Sequence, residues 1–147
     1  MPSPYYADLV KFDGNCDRLQ HYEMCLPAIA LNKSIYTPEG TGGPSKPYVK
    51  KTYVNISYNF MTPIDEDNTR YFWFQHRNTD PNNKEISEKM NAGAVMAFEE
   101  DRAVLEDVHL GMKNPVTPNI DLGLDSGAKQ FRLMLQRKIQ EEQKNTS

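Results

Sequence analysis

Histidine, cysteine and tryptophan are scarce in this sequence: three, two and one among 147 residues. Two cysteines, Cys16 and Cys25, are too few and too widely spaced for a zinc or iron–sulfur motif, and nothing points to an oxidising compartment, so no disulfide between them is expected. The formal charge is only -3, from 17 Lys plus Arg against 20 Asp plus Glu. The basic residues are scattered, which argues against nucleic acid as a partner. No apolar run approaches membrane-spanning length, and "MPSPYYADLV" lacks the charged-then-apolar order of a signal peptide. A cytoplasmic protein without a membrane partner is the resulting expectation. There is also no Gly-rich phosphate loop before a helix, no G-x-S-x-G and no H-E-x-x-H.

What is present is enough apolar sequence, 38% of residues, for one domain spanning 1–147. Its first half reads as strands punctuated by Pro and Gly, its second half as helices. "CDRLQHYEMC" (Cys16 to Cys25) and "PAIALNKSIYT" (Pro27 to Thr37) are the first two strands. The Gly/Pro-rich "PEGTGGPSKP" after them is a turn region or a flap. "YVKKTYVNISYNF" alternates, with Val54, Ile56, Tyr58 and Phe60 on one face and Tyr53, Asn55, Ser57 and Asn59 on the other. "MTPIDEDNT" turns the chain into the aromatic-rich "RYFWFQHRN" (Arg70 to Asn78), whose Trp73 is expected in the core. Asp80 and Pro81 end that strand. A long helix over Ile86 to Met112 follows, then a linker with Pro115 and Pro118, then a last helix with Asp125 as its N-cap and Leu124, Ala128, Phe131, Leu135 and Ile139 as its apolar stripe. Strands first and helices after predict an α+β fold, an antiparallel sheet wrapped on a long C-terminal helix.

The long helix carries an anomaly. At about 100° per residue, Ile86, Met90, Ala94, Ala97, Phe98, Val104, Leu105 and Val108 form one stripe, and Asp101 falls in its middle. No Lys, Arg or His lies one or two turns away on that stripe. A carboxylate facing a core costs several kcal/mol unless a cation, N–H donors or a metal meets it, so a partner from elsewhere is expected. The histidines do not complete a metal site around it. His109 sits eight residues on, roughly two turns at a rise of about 1.5 Å per residue. His76 shares a strand face with Phe72 and Phe74, where a satisfied core or interface histidine is expected, and His21 shares one with Leu19, Glu23 and Cys25.

The polar row Asn55, Ser57 and Asn59, with Asn32 on the neighbouring strand, is by default the solvent face of a sheet; alternatively it lines a cavity where amides orient a substrate. Ala28 and Ala30 share the face of Asn32 and leave room there, which favours the cavity.

Five stretches in order, "DRLQHYEMCLP", "TPEGTG", "FMTPIDEDNTRYFWFQHRN", "FEEDRAVLED" and "LDSGAKQFRLMLQRKIQEE", resemble the C-terminal catalytic part of Rieske-type non-heme iron oxygenases, in the branch of vanillate O-demethylase and dicamba monooxygenase oxygenase components. The resemblance implies a START-like helix-grip fold, here partial. It implies that Asp101 is the carboxylate of a 2-His-1-carboxylate mononuclear Fe(II) site, and that Asn32 and Asn59 face the substrate pocket. It also implies a small aromatic or related substrate, hydroxylated or O-demethylated with electrons from a reductase that arrive through a Rieske [2Fe–2S] cluster. The cluster domain and the two iron-binding histidines have no counterpart here, so a catalytically silent portion of a larger site is expected, completed by a missing N-terminal half or by oligomerisation. The competing expectation is a non-catalytic START-like module holding an apolar small molecule.

Overall fold

The computed structural model describes residues 9–42, 51–114 and 120–146. The Gly/Pro-rich loop from residue 43 onward, the expected strand start at Tyr48 and the linker with Pro115 and Pro118 lie outside them. The chain divides into two compact units, Met1–Phe98 and Glu99–Ser147.

In the first unit, alternation and turn chemistry give a four-stranded antiparallel meander, β1 (Cys16–Cys25), β2 (Ile29–Pro38), β3 (Tyr53–Pro63) and β4 (Thr69–Arg77), in the spatial order β1-β2-β3-β4. Cys16 and Cys25 stand as free thiols at the two ends of β1. The β3–β4 turn is an Asx turn: Asp65 Oδ1 accepts from the backbone N–H of Asp67 and Asn68 and from Asn68 Nδ2. The Asn68 side chain, and then the Asp67 N–H, hold the Asp65 carboxyl below its ordinary range.

Beyond β4, two adjacent residues organise the approach to the helix. Asn78 extends the sheet by imitating a backbone partner: its Oδ1 accepts from Val54 N at 2.8 Å and its Nδ2 donates to Thr52 O at 2.8 Å. Arg77 donates to the carbonyls of Thr79, Asp80 and Asn83 and to Ser87 Oγ, all at 2.9–3.0 Å. Asp80 takes a left-handed conformation, φ 40°, which Asp tolerates better than most residues, and its carboxylate pairs with Lys11 Nζ at 2.6 Å. Asn83 then caps α1 (Lys84–Met112) by accepting from Ile86 N at 3.3 Å.

Within the first unit α1 buries Ile86, Met90 and Ala94, spaced four residues apart as one helical face requires. Ile86 and Met90 form a core with Leu9, Val10 and Tyr36, and Phe12 and Tyr53 pack at its margin. The sheet therefore lies against the helix through the face that carries Tyr36.

The second unit holds the rest of α1, a 3-10 turn over Gly123–Asp125 and α2 (Ser126–Thr146). Asp125 precedes α2 as expected, but its carboxylate accepts from Leu122 N at 2.8 Å. Phe131 and Leu135 of the α2 stripe are half-buried, whereas Leu124 and Ile139 are exposed. No helix among the described residues is long and apolar enough to cross a membrane.

The expected burial of the α1 stripe is corrected in its second half. Ala97, Asp101, Val104, Leu105 and Val108 are all exposed, Leu105 at 64%. Periodicity identifies a helix face but not what covers it: among the described residues Ile86, Met90 and Ala94 are buried and Phe98 is half-buried against Tyr71 and Trp73, while the stripe beyond Phe98 is exposed. Asp101 therefore keeps its hydration and needs no internal partner.

Candidate functional site

Strand register builds a polar surface beneath the helix. Ser34 of β2, Asn55 of β3 and Arg77 of β4 form one cross-strand row; Asn32, Ser57 and Gln75 form the next; Ala30, Asn59 and Trp73 the third. All share the sheet face of Tyr36, which packs on α1 through Ile86 and Met90. The rings of Trp73 and Tyr71 meet Phe98 of the helix edge-on, at 5.1 and 5.3 Å between centroids. The polar row is thus the covered face: Asn55 is 4% exposed and Ser57 9%. The opposite face, which the usual inside–outside rule would bury, carries a ladder of Tyr58, Phe60, Phe74 and His76 rings in mutual contact, with Phe72 55% exposed. His76 is an exposed member of that ladder, not a core histidine.

Covering amides with a helix leaves some of them unsatisfied. Among the described residues, Oδ1 of Asn32 and Oδ1 of Asn55 are buried without a hydrogen-bond partner. Asn59 differs: its Nδ2 donates to Ala30 O at 3.2 Å and its Oδ1 accepts from Tyr71 OH at 2.6 Å, so both ends of its amide are engaged. A buried acceptor left unpaired costs roughly 1–3 kcal/mol. Replacing Asn55 by the similarly shaped leucine should therefore raise stability by about 1 kcal/mol, read as a higher urea midpoint at unchanged slope. An unchanged or lower midpoint would show that the amide is satisfied in solution.

At the Arg77 end of this face the sheet and helix part to leave a cavity of about 330 Å³. Trp73 and Met90 supply apolar wall; Asn55, Gln75 and Arg77 supply polar groups, with Ser87 and Asn91 at the helix side. Its size falls at the lower end of ligand pockets, about 300–1,000 Å³. Trp73 is thus both half-buried packing and cavity wall. Gln75 and Arg77 were legible in principle, because alternation along β4 sets Tyr71, Trp73, Gln75 and Arg77 on one face.

The three sequence-derived site residues are placed differently. Asn32 and Asn59 lie in adjacent rows of the covered face. Asp101 lies in the second unit, exposed, on a helical turn where Arg102 pairs with Glu99 and Glu106. Among the described residues no three His, Cys, Asp or Glu side chains come together to hold a metal.

The model of the vanillate O-demethylase oxygenase C-terminal domain matches residues 1–141. The toluene-4-sulfonate monooxygenase system iron-sulfur subunit of Comamonas testosteroni is 31% identical over 146 residues, covering 99% of this chain and 42% of that protein. A vanillate O-demethylase oxygenase subunit from Pseudomonas is 29% identical over 149 residues, covering 97% of this chain and 42% of that protein. The chain thus spans less than half the length of these relatives, and no solved structure matches it. With the domain model covering nearly every residue, the chain belongs to the vanillate O-demethylase oxygenase C-terminal domain family.

Proposed function

We propose that the chain is the C-terminal catalytic portion of a Rieske-type oxygenase that hydroxylates or O-demethylates a small aromatic or related substrate. The observation that carries this is the sheet face of amides and small side chains, with Asn55 and Ser57 buried, Asn32 and Ala30 half-buried, and the side-chain oxygens of Asn32 and Asn55 unpaired. A domain that served packing alone gains nothing from buried, unpaired amides. In this reading Asn32 and Asn59 orient the substrate's polar groups, Asn32 through its unpaired Oδ1 and Asn59 by exchanging its bond to Tyr71. Trp73, Met90 and Phe98 keep water from the apolar part of the ligand. The fold is then part of a START-like helix grip, in a cytoplasmic enzyme.

The residues of this chain do not by themselves fit a mononuclear iron centre, since no cluster of three ligating side chains exists among the described residues. Asp101 supplies one carboxylate, and a single carboxylate does not hold Fe(II) against water. The two histidines and the [2Fe–2S] cluster must come from sequence that the longer relatives possess, and a reductase supplies electrons. Within the sheet of the described residues β1 and β4 are the edges, so further strands, from such sequence or from a second copy, have a place to pair.

The test is to produce the chain joined to, or together with, a polypeptide bearing a Rieske domain and two candidate histidines, load it anaerobically with Fe(II), and measure metal content and substrate-dependent oxygen uptake. About one mononuclear iron per chain is expected in the assembly and none retained by the chain alone. Ligand binding without any oxygen uptake by the iron-loaded assembly would instead make this a non-catalytic binding module.

A further inference from the structure

We infer that Asp13 and Gly14 form a self-modifying site, at which the Asp13 side chain and the Gly14 nitrogen close a succinimide that reopens to isoaspartate. The pair is the only Asp–Gly in the sequence, and no Asn–Gly occurs. Residues 11–15 belong to no helix or strand, and Asp13, Gly14 and Asn15 are all exposed. Gly14 stands at φ 114°, which suits glycine and strains other residues, and nothing lies within 4 Å of the point a Cβ would occupy. No side chain shields its nitrogen, and no neighbour stands where a ring would form. Among the described residues the Gly14 N–H donates no hydrogen bond and the Asp13 carboxylate accepts none.

The chemistry balances with water alone. The Gly14 nitrogen attacks the side-chain carbonyl carbon of Asp13; a C–N bond forms, and a carboxyl oxygen leaves as water with the carboxyl proton and the amide proton. Water then adds to one of the two imide carbonyls. Addition at the side-chain carbonyl restores Asp13, whereas addition at the main-chain carbonyl breaks the original peptide bond and routes the chain through Cβ, one methylene longer. The same ring is open by sequence to Asp125–Ser126 and Asp67–Asn68, and the fold closes both. Ser126 opens α2, and the Asp125 carboxylate accepts from Leu122 N at 2.8 Å. The Asn68 N–H is taken by Asp65 Oδ1 at 2.8 Å. Groups held in this way must give up a hydrogen bond before they react; Asp13 and Gly14 give up none. The place also gives the modification a structural consequence. Leu9 and Val10 are buried with Tyr36, Ile86 and Met90, Phe12 meets the Tyr53 ring edge-on at 5.0 Å, and Lys11 pairs with Asp80. The extra methylene falls between this anchored segment and the start of β1 at Cys16.

The test keeps the full chain for weeks in warm, near-neutral buffer made with heavy-oxygen water, folded or in concentrated urea. Peptide mass mapping then reads the label, and methyl transfer from S-adenosylmethionine by an isoaspartyl methyltransferase counts isoaspartate. Each ring opening leaves one heavy oxygen, so label marks the site whichever carbonyl is attacked. Asp13–Gly14 is expected to label in the folded chain within about threefold of its rate in urea, whereas Asp125–Ser126 and Asp67–Asn68 label at least about tenfold more slowly folded than unfolded. Comparing each site with itself removes the intrinsic reactivity of the residue pair. Asp13→Glu, which would need a six-membered ring, abolishes label and methyl acceptance at this peptide. Asp13→Asn closes the same five-membered ring with loss of ammonia, and is expected to react faster and to yield a more acidic species on isoelectric focusing. Position 13 is exposed, so both variants keep the fold, which circular dichroism checks. No label at Asp13–Gly14 in the folded chain, a rate there that rises about tenfold or more on unfolding, or methyl acceptance unchanged by Asp13→Glu would each overturn the inference.

Discussion

On the proposed assignment of Asp101 to the iron site, replacing it with alanine will abolish iron binding and lower turnover of the completed enzyme by at least about a hundredfold, while shifting the folding free energy by no more than about 0.5 kcal/mol. The two halves of this expectation have separate physical origins. Asp101 is exposed and accepts no hydrogen bond among the described residues, while Arg102 on the same turn is taken by Glu99 and Glu106. Its removal leaves no cavity, no orphaned donor and no broken pair, and alanine is the better helix former. A carboxylate that ligates a divalent cation, in contrast, cannot be replaced by a methyl group, because two neutral imidazoles alone neither balance the charge nor fill the coordination that hard Fe(II) prefers. Metal analysis, oxygen uptake and urea denaturation on the same preparation read both halves. Iron content and turnover equal to the parent would remove Asp101 from the site. Loss of activity together with a large drop in stability would assign it a structural role instead.

The exposure of Asp101 also bounds how much could be read from sequence. The helix itself was legible: Ile86 to Met112 was expected, Lys84–Met112 is found, and Asn83 accounts for the two extra residues as an N-cap whose Oδ1 meets Ile86 N. Strand β1 runs from Cys16 to Cys25 as expected, and β4 is displaced by a single residue at each end. β3 continues past Phe60 to Pro63 because the Asx turn at Asp65 allows the Pro63–Thr69 pair to close. What alternation does not encode is which face a helix will cover. Val54, Ile56, Tyr58 and Phe60 are a more apolar set than Asn55, Ser57 and Asn59, and burial habits would send the first set inside. The decision lies in long-range contacts: Tyr36 shares a face with Asn32 and Ser34, and it is Tyr36 that meets Ile86 and Met90. Ala28 and Ala30 were the local hint, since small side chains beside amides make poor solvent decoration and good cavity lining. Arg77 was passed over for a similar reason. In isolation an arginine at a strand end reads as a solvated charge; its importance appears only when the loop carbonyls of Thr79, Asp80 and Asn83 close around it.

Tyr36 is accordingly where a single substitution will do the most damage to the fold. Its side chain is 1% exposed, the largest fully buried side chain in the described structure, and it belongs to the cluster that fastens the first turns of α1 to the sheet. Tyr36→Ala should cost about 3–5 kcal/mol, the range for removing a large aromatic from a core that cannot collapse around the gap. Against a total of roughly 5–15 kcal/mol for a domain, that is a large fraction of what keeps the first unit folded. Phe72→Ala on the opposite face removes a ring that is 55% exposed, and should cost about 1 kcal/mol or less. The comparison decides which side of the sheet holds the fold together, and thermal or urea unfolding followed by Trp73 emission measures it, because Trp73 packs against Phe98 on the helix-covered face. Comparable losses from the two variants would mean that the aromatic ladder is itself covered in solution, by another part of a longer polypeptide or by a second copy. The expected ordering would establish instead that the helix-side core, built on Tyr36, Ile86 and Met90, is what keeps the amide-lined face of Asn32 and Asn55 out of water and available to a ligand.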